Sequence, residues 1–123
     1  MSVEELSASC GLEVSALLEL QEFGLLSSTV VAGLEYFDED ALAIATVAAQ
    51  FAQFGIEPRH LRLYKNAADR EAGFVEQIVL PLVRQRNPEA RARAHEMVDE
   101  LSVLGHQLRG ALLRNALKEL LGG

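Results

Sequence analysis

Cysteine is almost absent from this 123-residue chain. A single thiol, Cys10, excludes an intrachain disulfide and every multi-cysteine zinc pattern, and reads as a small buried side chain. Long apolar runs are also missing. The longest, Ala41 to Ala49, is broken by Thr46 and reaches about half of the roughly 20 residues that span a bilayer. The N-terminus has Glu4 and Glu5 where a secretory signal would carry bases, so a cytoplasmic location with no membrane partner is expected. Lys and Arg are absent from residues 1 to 57, which hold ten acids, whereas residues 58 to 123 hold all 11 bases and the other eight acids. The first half should therefore repel a phosphate backbone, because nonspecific nucleic-acid affinity comes mainly from Lys and Arg displacing counterions. Catalytic signatures are missing too. There is no G-x-S-x-G, P-loop, dinucleotide fingerprint or Cys-His pair, so neither enzyme activity nor a cofactor is expected.

What is present is helical pattern. The composition, half apolar and a quarter charged, suits one domain. Ser2 followed by Glu5 has capping-box spacing and predicts a short helix from Val3 to about Ser9, ended by Gly11. Val14, Leu17, Leu18 and Leu20 predict a second helix that stops at Gly24, which completes a helix-turn-helix outline. Thr29 to Val31, Gly33 and Leu34 to Phe37 read as a small hairpin. Asp38 caps a third helix running to Phe54, whose apolar Leu42, Ile44, Val47, Ala48, Phe51 and Phe54 mark it as the central core helix. Pro58 opens a fourth helix through Leu61, Tyr64, Ala68, Val75 and Ile78, which Pro81 should kink or end. Asn87 and Pro88 start a fifth that nothing breaks strongly before Gly122, about 34 residues or ~50 Å at 1.5 Å per residue. A globule of this size has no use for so long a helix. Its stripe of Leu101, Leu104, Leu108 and Leu112 is the candidate surface for self-association into a homodimer or higher oligomer, the alternative being a helical hairpin folded at Gly105 or Gly110.

The order helix, turn, helix, small wing, helix and long terminal helix resembles the MerR family of bacterial transcription regulators. The segments SVEEL (Ser2 to Leu6), FGLL (Phe23 to Leu26) and YFDEDAL (Tyr36 to Leu42) carry that resemblance over residues 2 to 55. It implies a mainly α fold, a MerR-like winged helix-turn-helix with a β-hairpin wing. The family's DNA-contacting residues are missing, however: the recognition-helix positions fall on Leu18, Glu19 and Leu20, and the wing arginine falls on Glu35. Donors to phosphate or base edges are replaced by aliphatic groups or carboxylates, so those contacts are lost or reversed. Residues 55 to 70 (GIEPRHLRLYKNAADR) with Pro81-Leu82-Val83 resemble the C-terminal domain of the MerR-like FtsR-type regulators of actinobacteria, which are associated with cell-division genes. The resemblance implies that a DNA-binding domain lies upstream of Met1. On this reading residues 2–55 are a degenerate winged helix, 56–86 a connecting helix and 87–121 an oligomerisation helix within one domain.

Two basic clusters complete the inventory. Arg59, His60, Arg62, Lys65 and Arg70 fall at helical spacing, and with Tyr64 they are candidates to pair with acidic residues of the same or another subunit, to bind a small anionic effector, or to form a solvated face. Phe51, Phe54, Tyr64 and Phe74 are candidates to line an effector pocket near them or to serve as core. Arg84, Arg86, Arg91 and Arg93 surround the Asn87-Pro88 turn and supply the contacts of an alternative reading, in which this chain itself binds DNA. His95 and Asp99 share a helix face but have no third ligand nearby in sequence to make a metal site. The preferred function is a regulatory and oligomerisation domain that assembles chains while the upstream domain binds promoter DNA.

Overall fold

Three of the five helices begin where the sequence supplies a side-chain acceptor for their free amides. In the computed structural model, which describes residues 1–122, the amide of Glu5 donates to Ser2 Oγ (3.1 Å) and the amide of Ser2 donates to Glu5 Oε1 (2.9 Å). This reciprocal capping box opens α1 (Val3–Cys10), and Gly11 closes it in the left-handed conformation at φ 86°. The second helix, α2, spans Val14–Glu22. Asp38 accepts from the amide of Ala41 (2.9 Å) to start α3 (Glu39–Ala52), with Glu39 and Asp40 in its first turn. Asn87 does the same for Ala90 (2.8 Å), with Pro88 as the first residue of α5 (Pro88–Leu117).

The wing pairs β1 (Thr29–Val31) with β2 (Leu34–Tyr36) in antiparallel register, Val30 opposite Glu35. Ala32 and Gly33 both have positive φ, 52° and 80°, as a two-residue turn of primed type requires. Thr29, Val31, Leu34 and Tyr36 share one face of this hairpin, and every residue of both strands is exposed. The result is a mainly helical, winged-helix-like fold with one small hairpin.

Three boundaries differ from the expectation. A short 3-10 turn at Pro58–Leu61 precedes α4, which begins at Arg62. Pro81 does not end α4, which continues to Arg84. Proline lacks the amide that would bond the carbonyl of Gln77 four residues back, and the helix runs three residues past it despite that lost bond. The fifth helix passes through Gly105 and Gly110 without folding back but ends at Leu117 rather than near Gly122. There the amide of Leu121 is shared between the carbonyls of Leu117 and Lys118, and that of Gly122 bonds Glu119, the tightened bonding of a terminal turn.

The chain divides into two compact units, Met1–Asp69 and Arg70–Gly123. The first holds a core of Leu6, Leu17, Leu20, Leu26, Phe37, Ala41, Ala45, Ala48 and Leu61. Here α3 departs from its expected role. It buries Ala41, Ala45 and Ala48, while Ile44 (40% exposed), Val47 (50%) and Phe54 (81%) face outward. Small side chains let α1 lie close against α3, and the bulky apolar residues are left on the opposite side. Cys10 is half-buried rather than buried. In the second unit Val79, Ala90 and Ala94 are buried, and Glu71 pairs with Arg109 across the hairpin of α4 and α5. Gly105 makes room for that pair: a Cβ there would sit 2.9 Å from Glu71 Oε2.

Two outcomes follow for stability. The hydrogen bonds from the Ser2 amide and hydroxyl hold the Glu5 carboxyl below its ordinary pKa of 4.5. Its contribution is therefore complete above that value and is lost as pH falls through the lowered one, so Glu5→Gln will flatten the acid limb of a thermal-unfolding pH series. Leu20→Ala will cost about 2–5 kcal/mol in urea unfolding, whereas Leu18→Gln will stay within about 0.5 kcal/mol, because only the former opens the core.

Candidate functional site

An exposed apolar helix face asks what covers it, and on α3 that face forms one wall of a groove. Asp40, Ile44, Val47 and Phe51 recur at helical spacing, so they share a side of the helix. The 3-10 turn then brings Leu61 back towards Ala48, and the first two turns of α4 place Tyr64, Lys65 and Ala68 across from them. With Leu25 and Ala43 these residues enclose an open groove of about 520 Å3, all within the first unit. Phe51 and Tyr64 meet at its floor with ring centroids 5.4 Å apart and planes tilted by 39°. Lys65 is the one cation among the lining side chains, and its ammonium bonds Asp69 at 2.6 Å.

Of the four aromatics read as candidate pocket residues, Phe51 and Tyr64 line the groove. Phe54 projects into solvent, and Phe74 belongs to the second unit. The basic cluster is separated into individual local contacts. Arg59 pairs with Glu57 (3.1 Å), His60 Nδ1 accepts from the Glu57 amide (2.9 Å), and Arg62 lies 5.1 Å from the centroid of the Phe23 ring. Thus His60 acts as a cap for the turn that positions the groove, and only Tyr64 and Lys65 of the five reach its lining.

The face that carries DNA contacts in the resemblance drawn from the sequence is apolar and acidic. Leu20 is fully buried, Leu18 is half exposed, and Glu35 accepts hydrogen bonds from Gln21 Nε2 (3.3 Å) and Ser28 Oγ (3.2 Å). In the second unit Arg84, Arg86, Arg91 and Arg93 are all exposed around the α4–α5 turn. Leu101 is half-buried on the side of α5 that carries buried Ala90 and Ala94, while Leu104, Leu108 and Leu112 are each about 60% exposed. No group of three His, Cys, Asp or Glu among the described residues is placed to hold a metal, and no helix among them is long and apolar enough to cross a membrane.

Two signals were missed in the sequence. The outward direction of Ile44 and Val47 was hidden because α3 is apolar around most of its circumference, and only the alanine spacing at 41, 45 and 48 betrays which side is buried. The second is Lys65, whose place in the lining depends on the 3-10 turn.

Residues 1–121 match the family model described as Rv1828-like, C-terminal domain. The HTH-type transcriptional regulators Rv1828 of Mycobacterium tuberculosis and Mb1859 of Mycobacterium bovis are each 38% identical to it over 86 residues, which is 70% of this chain. That stretch is 35% of each of those proteins, so the chain spans about a third of the length of the relatives it matches. With a match over nearly its whole length, this chain belongs to the Rv1828-like C-terminal domain family.

Proposed function

We propose that this chain is the regulatory and oligomerisation part of a MerR-like transcriptional regulator of the actinobacterial FtsR type, acting with an upstream domain that reads promoter DNA. The observation that carries this reading is the uncovered leucine stripe of α5. Family membership supports it, as do relatives named HTH-type transcriptional regulators that are far longer than the matched stretch. Joining two chains would set the spacing of two DNA-reading domains, so that one regulator spans paired half-sites.

The exposed Leu104, Leu108 and Leu112 recur every four residues, so they form one stripe on which a partner helix can pack as in a coiled coil, whereas Ala94 and Leu101 lie on the side covered within the unit. Charges along α5 favour an antiparallel partner. Glu96, Asp99 and Glu100 precede the stripe's midpoint and Arg109, Arg114 and Lys118 follow it, so antiparallel helices set opposite charges side by side and parallel ones set like on like. Arg59, His60, Arg62, Tyr64 and Lys65 are the candidate contact for a small anionic effector or a neighbouring domain. A second reading, direct DNA contact through Arg84, Arg86, Arg91 and Arg93, draws on their shared exposure around one turn.

Multi-angle light scattering tests the assembly. The unaltered chain will run at twice its 13.4 kDa mass or more. The double substitution Leu104→Asp, Leu108→Asp will run as a monomer of unchanged helix content by circular dichroism; an unchanged mass would overturn this interface.

A further inference from the structure

The leucines of α5 are more than one partner helix can cover. Leu104 and Leu108 belong to the coiled-coil stripe. Leu113 lies nine residues beyond Leu104, about 180° further round the helix at 100° per residue, and Leu117 follows one turn later on the same side. Both are exposed, Leu117 at 39%, and Leu120 and Leu121 continue the apolar surface into the terminal turns. A helix paired along one stripe leaves this second face in water. Leu113 to Leu121 carries Arg114 and Lys118 against one acid, Glu119, and Arg109 adds a further base one turn before it.

The α3 groove has the opposite character in charge and the same in polarity. Its walls are apolar apart from Lys65, which Asp69 already neutralises. Its long helix contributes Glu39 and Asp40 and no base, and the whole unit holds eleven acids against three bases. Beyond the lining, Asp40 stands one turn before Ile44 on α3, and Asp69, which bonds Lys65, follows Ala68 on α4. The lengths also agree. Ile44 to Phe51 and Leu113 to Leu120 each span seven residue steps, about 10 Å of helix. An anionic small molecule would enter against the net negative field of the unit, whereas a basic amphipathic helix would be drawn by it.

We infer that the groove receives the C-terminal segment Leu113–Leu121 of a second copy of this chain, with Leu113 and Leu117 laid against Ile44, Val47 and Phe51 and the partner's Arg114 and Lys118 reaching the carboxylates at the rim. This rests on the self-association reading and adds a second, separate contact to it. The two copies would be held by the coiled-coil stripe and by exchanged C-terminal segments, each chain giving one and receiving one.

Cross-linking tests the contact. In a Cys10→Ser background, a tagged Val47→Cys chain and an untagged Leu117→Cys chain each carry one thiol, so every disulfide formed on mixing is between chains. The expected product is the mixed 47–117 dimer, formed under mild oxidation by oxidised glutathione, with light scattering showing the dimer before oxidation. Circular dichroism of each variant verifies the fold, both sites being exposed. A dimer by scattering that gives no mixed product overturns the groove contact and leaves the self-association reading standing. A monomer by scattering for the unaltered chain overturns both. A small molecule carried by the purified dimer in native mass spectra, and lost in Val47→Trp, would also overturn the inference by making the groove a ligand site.

Discussion

The close approach of α1 to the alanine face of α3 is the contact on which the first unit depends. Ala41, Ala45 and Ala48 recur at the helical repeat and are all buried, with Leu6 of α1 and Leu17 and Leu20 of α2 filling the space they leave. Alanine contributes little apolar area by itself, but it lets neighbouring backbones come close enough for leucines to pack without voids. Because the small side of α3 is the buried one, the bulky side must look outward. The groove is thus a direct consequence of how the core is built.

Electrostatics then limit what such a surface can meet. Eleven acids and three bases in the first unit make a poor match for a phosphate backbone, and the wing and α2 present leucine, valine and glutamate. These same features suit contact with protein. The second unit carries a long helix with leucines on more than one face and a basic distal half. Under the proposed function, another domain reads DNA and this one serves assembly.

Much of the fold was legible in the sequence because local signals governed it. Ser2 with Glu5, Asp38 and Asn87-Pro88 fixed three helix starts, Gly11 and Gly24 marked helix ends, and Gly33 marked the hairpin turn. The errors arose where tertiary context decides. Pro81 lies inside α4, three residues before its end, and Phe54 is exposed because α3 ends before it. The candidate site was half legible: Phe51 and Tyr64 were named, yet spacing alone could not say that Ile44 and Val47 point away from the core. The basic cluster reads as one patch in sequence and resolves into separate pairings, since the 3-10 turn rotates Arg59 and His60 away from the groove.

Fluorescence anisotropy of this chain with generic and promoter duplexes at low salt, where electrostatic binding is strongest, tests the central claim most directly. The account predicts no binding by the chain alone at micromolar concentration. Tight binding that weakens steeply with added salt, and is lost when Arg84, Arg86, Arg91 and Arg93 are replaced by Ala, would contradict it and make the α4–α5 turn a DNA-contacting surface.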